Sequence, residues 1–261
     1  MGLTASDLSL VLRERTILDN ISVTLPQGVV TGIIGPNGAG KSSLLRVLVG
    51  LTSTHGSVHL DGQVLPPTGT KARARRIGYL PQAHEVHWPL TVRRTVGLGL
   101  LPKLGDWQRP GPAEDRAVEA ALRRVAMLGH ADRRVDTLSG GERARVMLAR
   151  VLVTETPVVL ADEPVAALDP AHQISVMGLL RRQAKEADRA VAVVLHDLTL
   201  AARYCDRLLL LDAGRVIEAG DVSAVLASPS LERVYGISFA RTTIRGCPVL
   251  TPLDPPQERE P

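Results

Sequence analysis

A chain of 261 residues can bury one sizeable core with a subdomain, but not comfortably two independent ones. At 44% hydrophobic and 22% charged its composition is that of a globular protein, and no apolar run approaches the roughly 18 residues that span a bilayer. The formal charge of +4 is carried mainly by arginine, yet aromatics make up only 2% of the chain and no nucleic-acid-binding module is visible, so no nucleic-acid partner is expected.

The first residues, MGLTASDLSLVLRERT, lack a basic start followed by an apolar stretch. No signal peptide is therefore read, and the chain is expected to stay in the cytosol. Two alternating segments, Leu8–Leu12 and Ser22–Leu25, read as strands, and Ser57–Leu60, Asp61-Gly62 and Gln63–Leu65 read as a hairpin. Between them Val29–Ile34 is a short continuous apolar run, the pattern of a strand buried on both faces. It leads into a Gly-rich loop and a helix over Ser43–Val49 closed by Gly50. From about Ala83 to Val153 the pattern turns helical, clearest over Ala113–Leu128, with Pro102, Pro110 and Pro112 ahead of it. Strand and helix then alternate: Val158–Ala161, about Pro170–Ala187, Val191–Leu195, about Leu198–Tyr204, and a strand pair at Leu208–Leu211 and Arg215–Glu218. That alternation predicts an α/β fold, with helices on both faces of a mainly parallel sheet and the middle segment as a helical insertion. Residues 1–250 read as one domain with an insertion at about 83–153, and the Pro- and charge-rich 251–261 as a disordered tail. The arginine clusters (Arg73, Arg75 and Arg76; Arg93 and Arg94; Arg123 and Arg124; Arg133 and Arg134) read as solvated helix surface, with contacts to a partner or to anionic headgroups as the alternative. Cys205 and Cys247 share no metal or redox spacing and read as two reduced thiols.

Gly35-Pro36-Asn37-Gly38-Ala39-Gly40-Lys41-Ser42 matches G-x-x-x-x-G-K-[ST], with a buried strand before it and a helix, beginning near Ser43, after it. Glycines let successive backbone N–H groups converge on phosphate oxygens, and the following helix points its positive end at them. Lys41 suits the β and γ phosphates, and the Ser42 hydroxyl suits Mg²⁺. Such a cradle does not by itself separate a GTPase, a kinase and an ATPase. Val158–Ala161 ends in Asp162 and Glu163, and in a parallel sheet strand C-termini face the ligand crevice. Asp162 then suits the metal and Glu163 suits a general base; a helix N-cap beside a solvated acid is the other reading of the pair. Ser139-Gly140-Gly141-Glu142 opens a helix with a hydroxyl and two glycines, a second anion-binding N-terminus. His196 follows an apolar strand, where a histidine is often structural.

These residues together resemble the ATP-binding subunit of an ABC transporter over nearly the whole chain. Leu138-Ser139-Gly140-Gly141-Glu142 is similar to that family's signature motif, and Gln82 in Tyr79-Leu80-Pro81-Gln82 to its Q-loop glutamine. Ala167-Leu168-Asp169 resembles the D-loop and His196 the switch histidine, all in the family's order. The resemblance implies a P-loop NTPase (RecA-like) core, an N-terminal antiparallel β subdomain and an inserted helical subdomain. It also implies ATP and Mg²⁺ as ligands. Residues 35–43 would cradle the nucleotide, Ser43 included; Ser42, Asp162 and Gln82 would hold the metal; and Glu163, His196 and Gln82 would act at the γ-phosphate. It further implies a second copy of the chain, head to tail, whose Ser139, Gly140, Gly141 and Glu142 complete the site in trans, a twofold arrangement.

The family commonly stacks an aromatic on adenine from its first strands; here Ser9–Arg13 offers none, and Leu12 is expected to give apolar contact only. His84-Glu85-Val86-His87 does not have the H-E-x-x-H spacing of a zinc helix, and with Trp88 it reads as a surface for a membrane partner. One cassette without a coiled-coil insertion favours transport over a soluble ABC ATPase working on ribosomes or DNA. The stretches 195–207 and 231–236 look like cassettes of importers for ferric siderophores, haem and cobalamin, with zinc or manganese importers as the alternative. Permease subunits and, indirectly, a substrate-binding protein are the partners so implied. The expected location is peripheral, at the cytoplasmic face of the plasma (inner) membrane.

Overall fold

A computed structural model describes residues 2–82, 89–105, 107–166 and 168–253. The chain begins with two long strands, β1 (Gly2–Leu12) and β2 (Arg15–Pro26), paired antiparallel. The strands read from sequence are parts of this ladder: Ser22–Leu25 lies in its regular stretch, with Val23 to Leu25 opposite Ala5 to Leu3, whereas Leu8–Leu12 carries register shifts between Leu8 and Leu10 and between Leu10 and Val11. Next comes β3 (Val30–Ile34), buried at all five positions. Its side chains alternate between two cores: Val30 and Ile34 enter the one under the helices, Ile33 the one under the antiparallel sheet. That double burial is why the strand reads as an unbroken apolar run.

Helix α1 (Lys41–Val49) stops at Gly50, whose φ of 82° is left-handed. The hairpin β4 (His55–Leu60) and β5 (Gln63–Val64) turns through Asp61 and Gly62, both at positive φ as a type I′ turn requires. Strands β2, β1, β4 and β5 form one sheet in that order.

The short helix α2 (Lys71–Ala74) corrects the reading of the first arginine cluster. Arg73 is not solvated: it is 7% exposed and donates to the carbonyls of Val47, Leu48, Val49 and Pro66. A guanidinium thus closes the C-terminal carbonyls of α1, where the helix dipole favours a cation. Its burial lowers the guanidinium pKa, a cost those four acceptors offset. Arg73→Met should leave them without a buried donor and cost about 1–3 kcal/mol in chemical denaturation.

Strand β6 (Ile77–Leu80) is followed by α3 (Val92–Gly97), α4 (Pro112–Arg124) and α5 (Gly140–Leu152). The expected helix at 113–128 ends at Arg124, since Ala126 has a φ of 54°. His84, Glu85, His87 and Trp88 lie outside the described residues. Strand β7 (Val158–Asp162), α6 (Pro170–Lys185), β8 (Ala190–Val194), α7 (Leu198–Tyr204), β9 (Arg207–Asp212) and β10 (Arg215–Asp221) follow as the alternation predicted. The main sheet has the order β10-β9-β3-β8-β7-β6, parallel except for β10.

The C-terminal part was not foreseen. Helices α8 (Val222–Ala227) and α9 (Pro229–Tyr235) lead to a hairpin of β11 (Phe239–Ile244) and β12 (Cys247–Pro252). Thr251 and Pro252, assigned from sequence to a disordered tail, pair with Ala240 and Phe239. Proline is tolerated there because the strand is an edge and ends at Pro252. Residues 254–261 lie outside the described residues. Cys205 is buried, which pushes its thiol up to about 12, and Cys247 is half-buried; neither is in a disulfide.

Candidate functional site

Strands β3, β8, β7 and β6 lie side by side and parallel, so the residues following their C-terminal ends gather along one edge of the sheet. The loop 35–40 follows β3, Asp162 and Glu163 close β7, His196 lies two residues past β8, and Gln82 two past β6. Topology alone therefore brings together residues up to 161 positions apart, Gly35 to His196 (196 − 35).

The loop is held from both sides. Gly35 has a φ of 143°, and a Cβ added there would lie 2.1 Å from the Leu211 carbonyl oxygen. Its N–H donates to the Tyr235 hydroxyl at 3.0 Å, and its carbonyl, like that of Pro36, accepts from Lys41 Nζ at 2.8 Å. Lys41 is only 6% exposed; burial lowers its pKa, with Glu163 and then Asp162 opposing. An ammonium that, among the described residues, is bonded to neutral carbonyls in a half-dry site is poised for a better, anionic acceptor. Helix α1 has no side-chain cap and no acid in its first turn, so its leading N–H groups are open to the same anion. A cleft of about 390 Å³ lies above, walled by Arg15, Ile17, Lys41, Ser42, Glu163 and Gly214, among others.

Asp162 is 1% exposed. Its Oδ1 accepts from Ser42 Oγ at 2.8 Å and its Oδ2 from the Tyr79 hydroxyl at 3.2 Å. Burial raises the Asp162 pKa, and these two bonds work against the rise. The Tyr79 phenol is in turn pushed up to about 12, by burial first and by Asp162 next. Ser42 and Asp162 are an all-oxygen donor set that fits a hard divalent cation. Among the described residues no cluster of three or more His, Cys, Asp or Glu could hold a metal ion.

Glu163 leaves the strand with a φ of 49°, a left-handed conformation for a non-glycine residue, and turns its carboxylate into the cleft. One oxygen meets His196 Nε2 at 2.7 Å and the other accepts from Gln82 Nε2 at 2.7 Å. The three residues expected at the γ-phosphate are thus one hydrogen-bonded set. Gln82 reaches Glu163, not Ser42 or Asp162, with which sequence reasoning had also grouped it.

The remaining predicted residues lie elsewhere. Ser139 caps α5 in a reciprocal box with Glu142: its backbone N–H donates to Glu142 Oε2 at 2.9 Å, and its Oγ accepts from the Glu142 N–H at 3.3 Å. Ser139 and Gly140 are exposed, and neither they nor Gly141 and Glu142 wall the cleft. Asp169 caps α6. Leu12 is 48% exposed and is not part of the cleft wall. Sequence reasoning missed Arg15, Thr16 and Ile17 in the wall, as well as Ala213 and Gly214, Tyr79 under Asp162 and Tyr235 under the loop. Only the turn at 212–214 carried a local signal.

Against known proteins, residues 18–166 match the family model described as ABC transporter. The hemin import ATP-binding protein of Rhodococcus jostii is 44% identical over 237 residues, 90% of this chain and 80% of that protein. The ferric enterobactin transport ATP-binding protein of Escherichia coli is 38% identical, covering 96% of this chain and 94% of its own. Among solved structures, a dimeric ATP-binding cassette in a post-hydrolysis state with ADP and Pi superposes with a TM-score of 0.74 at 27% identity, over 84% of this chain and 98% of that one. The phosphate cradle, the acidic strand end and the extent of these matches lead to one conclusion: the chain belongs to the ABC transporter family.

Proposed function

We propose that the chain binds ATP with Mg²⁺ and hydrolyses it as one half of a head-to-tail pair. The pair energises import of an iron chelate, haem or cobalamin through transmembrane permease subunits. Lys41 and the N–H groups at the start of α1 hold the phosphates, while Ser42 and Asp162 hold the cation, which when bound neutralises charge on the β and γ oxygens. Glu163 accepts the proton of the attacking water. His196 and Gln82, bonded to its two oxygens, fix the direction in which that carboxylate points.

The observation that carries the paired reading is the position of Ser139 and Gly140. They form an exposed helix start, closed within the chain only by the Ser139–Glu142 capping box, that this chain's own cleft does not use. A second copy's cleft gives it a ligand. Lys41→Ala and Ser139→Arg chains should each be inactive alone. Mixed, they should regain one working site per pair, made of the intact cradle of one and the intact signature of the other. No recovery of phosphate release on mixing counts against shared sites.

The permease reading rests on a groove of about 640 Å³ beside the cleft. Leu51 and Leu101 in its wall are 65% and 53% exposed, an apolar surface suited to a partner helix. Pro81 also lines it, and the next residue, Gln82, touches Glu163. A partner seated there sits one residue from the catalytic carboxylate, so its motion can be felt at the site. Among the described residues no helix is long and apolar enough to cross a membrane. The proposed place is therefore peripheral, on permease subunits at the cytoplasmic face of the plasma membrane, with a binding protein delivering cargo on the other side. The cargo class rests on the import proteins the chain is similar to.

A further inference from the structure

Away from the cleft, one contact joins the signature to the D-loop within the same chain. Asp169 caps α6 by accepting the His172 N–H on Oδ1 at 3.0 Å, and its Oδ2 meets His172 Nδ1 at 2.6 Å. The imidazole so held is turned towards α5. A Cβ added at Gly141 would lie 2.8 Å from its Cγ and Cδ2 and 3.0 Å from its Nδ1. Gly140, one residue earlier, would meet nothing within 4 Å. The two glycines therefore differ: the first faces open space, and the second is occupied by the ring.

Capping α6 requires only the Asp169 carboxylate, not a ring and not a glycine beneath it. Gly141 is the second residue of α5, where alanine is the better helix former. The ring over Gly141 accounts for that missing methyl. We infer that His172 is a positioning residue that locks the exposed start of α5 to Asp169, so that Ser139 and Asp169 are presented to the partner copy as one rigid edge. This rests on the paired reading above. Binding of nucleotide by a single chain does not involve this edge, since none of Ser139, Gly141, Asp169 and His172 walls the cleft.

The test separates the two claims. In a Glu163→Gln background, pairing is followed by light scattering as ATP with Mg²⁺ is raised. Affinity for a fluorescent ATP analogue is measured at protein concentrations too low for pairing. His172→Ala should raise the ATP concentration for half-pairing about tenfold, as a lost pre-organising contact does, with single-chain affinity unchanged. His172→Asn, whose amide nitrogen can take the place of Nδ1 opposite Asp169, should recover most of it. A His172→Ala chain that pairs at the parent's ATP concentration, or an Asn variant no better than Ala, overturns the inference. A parent chain that never pairs defeats the paired reading itself, before any His172 variant is compared.

Discussion

Glu163→Gln is expected to bind ATP at least as well as the unaltered chain and to turn it over about 10²- to 10⁴-fold more slowly, the range that a positioned general base supplies. The substitution keeps the side-chain shape and one carbonyl oxygen for Gln82 or His196, so the set around residue 163 persists. What it removes is the acceptor for the water's proton. It also removes a negative charge from a cleft that must take in a triphosphate, which favours binding. Phosphate release and nucleotide binding measured on the same preparation check both halves. A variant with wild-type turnover would mean that Glu163 is a structural acid and that the base lies elsewhere.

Lys41→Ala should act on the other quantity. Lys41 is a buried cation at the base of the cleft, and among the described residues its ammonium has the Gly35 and Pro36 carbonyls as hydrogen-bond partners. When phosphate enters, those neutral acceptors give way to charged ones, and truncating one partner of such a buried pair costs about 2–4 kcal/mol, about 30- to 1,000-fold in affinity. The loop itself should survive, because the Tyr235 hydroxyl still holds the Gly35 N–H and the helix start is unchanged. Isothermal titration with ATP measures the loss. Equal affinity with and without the lysine would show that the backbone cradle alone sets binding.

The cradle was legible in the sequence because its chemistry is contiguous: one loop supplies the N–H groups, the cation and the hydroxyl. Asp162 and Glu163 were legible because a buried parallel strand can end only at the ligand edge. Strand β3 could be read because burial on both faces removes the alternation that exposed strands keep. What escaped the sequence is what topology brings from far away. Tyr79 stands 83 residues from Asp162, and Tyr235 stands 200 from Gly35. Nothing local marks a tyrosine as the partner of one backbone N–H. Arg15, Thr16 and Ile17 were missed, and Leu12 offered in their place, because which part of the β1–β2 turn faces the cleft depends on the register of that hairpin. Arg73 was misread as solvent-facing because three of its four acceptors, the carbonyls of Val47, Leu48 and Val49, belong to the end of α1, more than twenty residues earlier. The C-terminal hairpin was missed for another reason: apart from Phe239, β11 is exposed, so it carries little apolar pattern to read.

Light scattering of the Glu163→Gln chain with saturating ATP and Mg²⁺ tests the paired site most directly. The account predicts a mass of twice 27.9 kDa that falls back when nucleotide is removed. A single 27.9 kDa chain holding one ATP, from a protein whose unaltered form hydrolyses ATP at full rate while still monomeric, would contradict it.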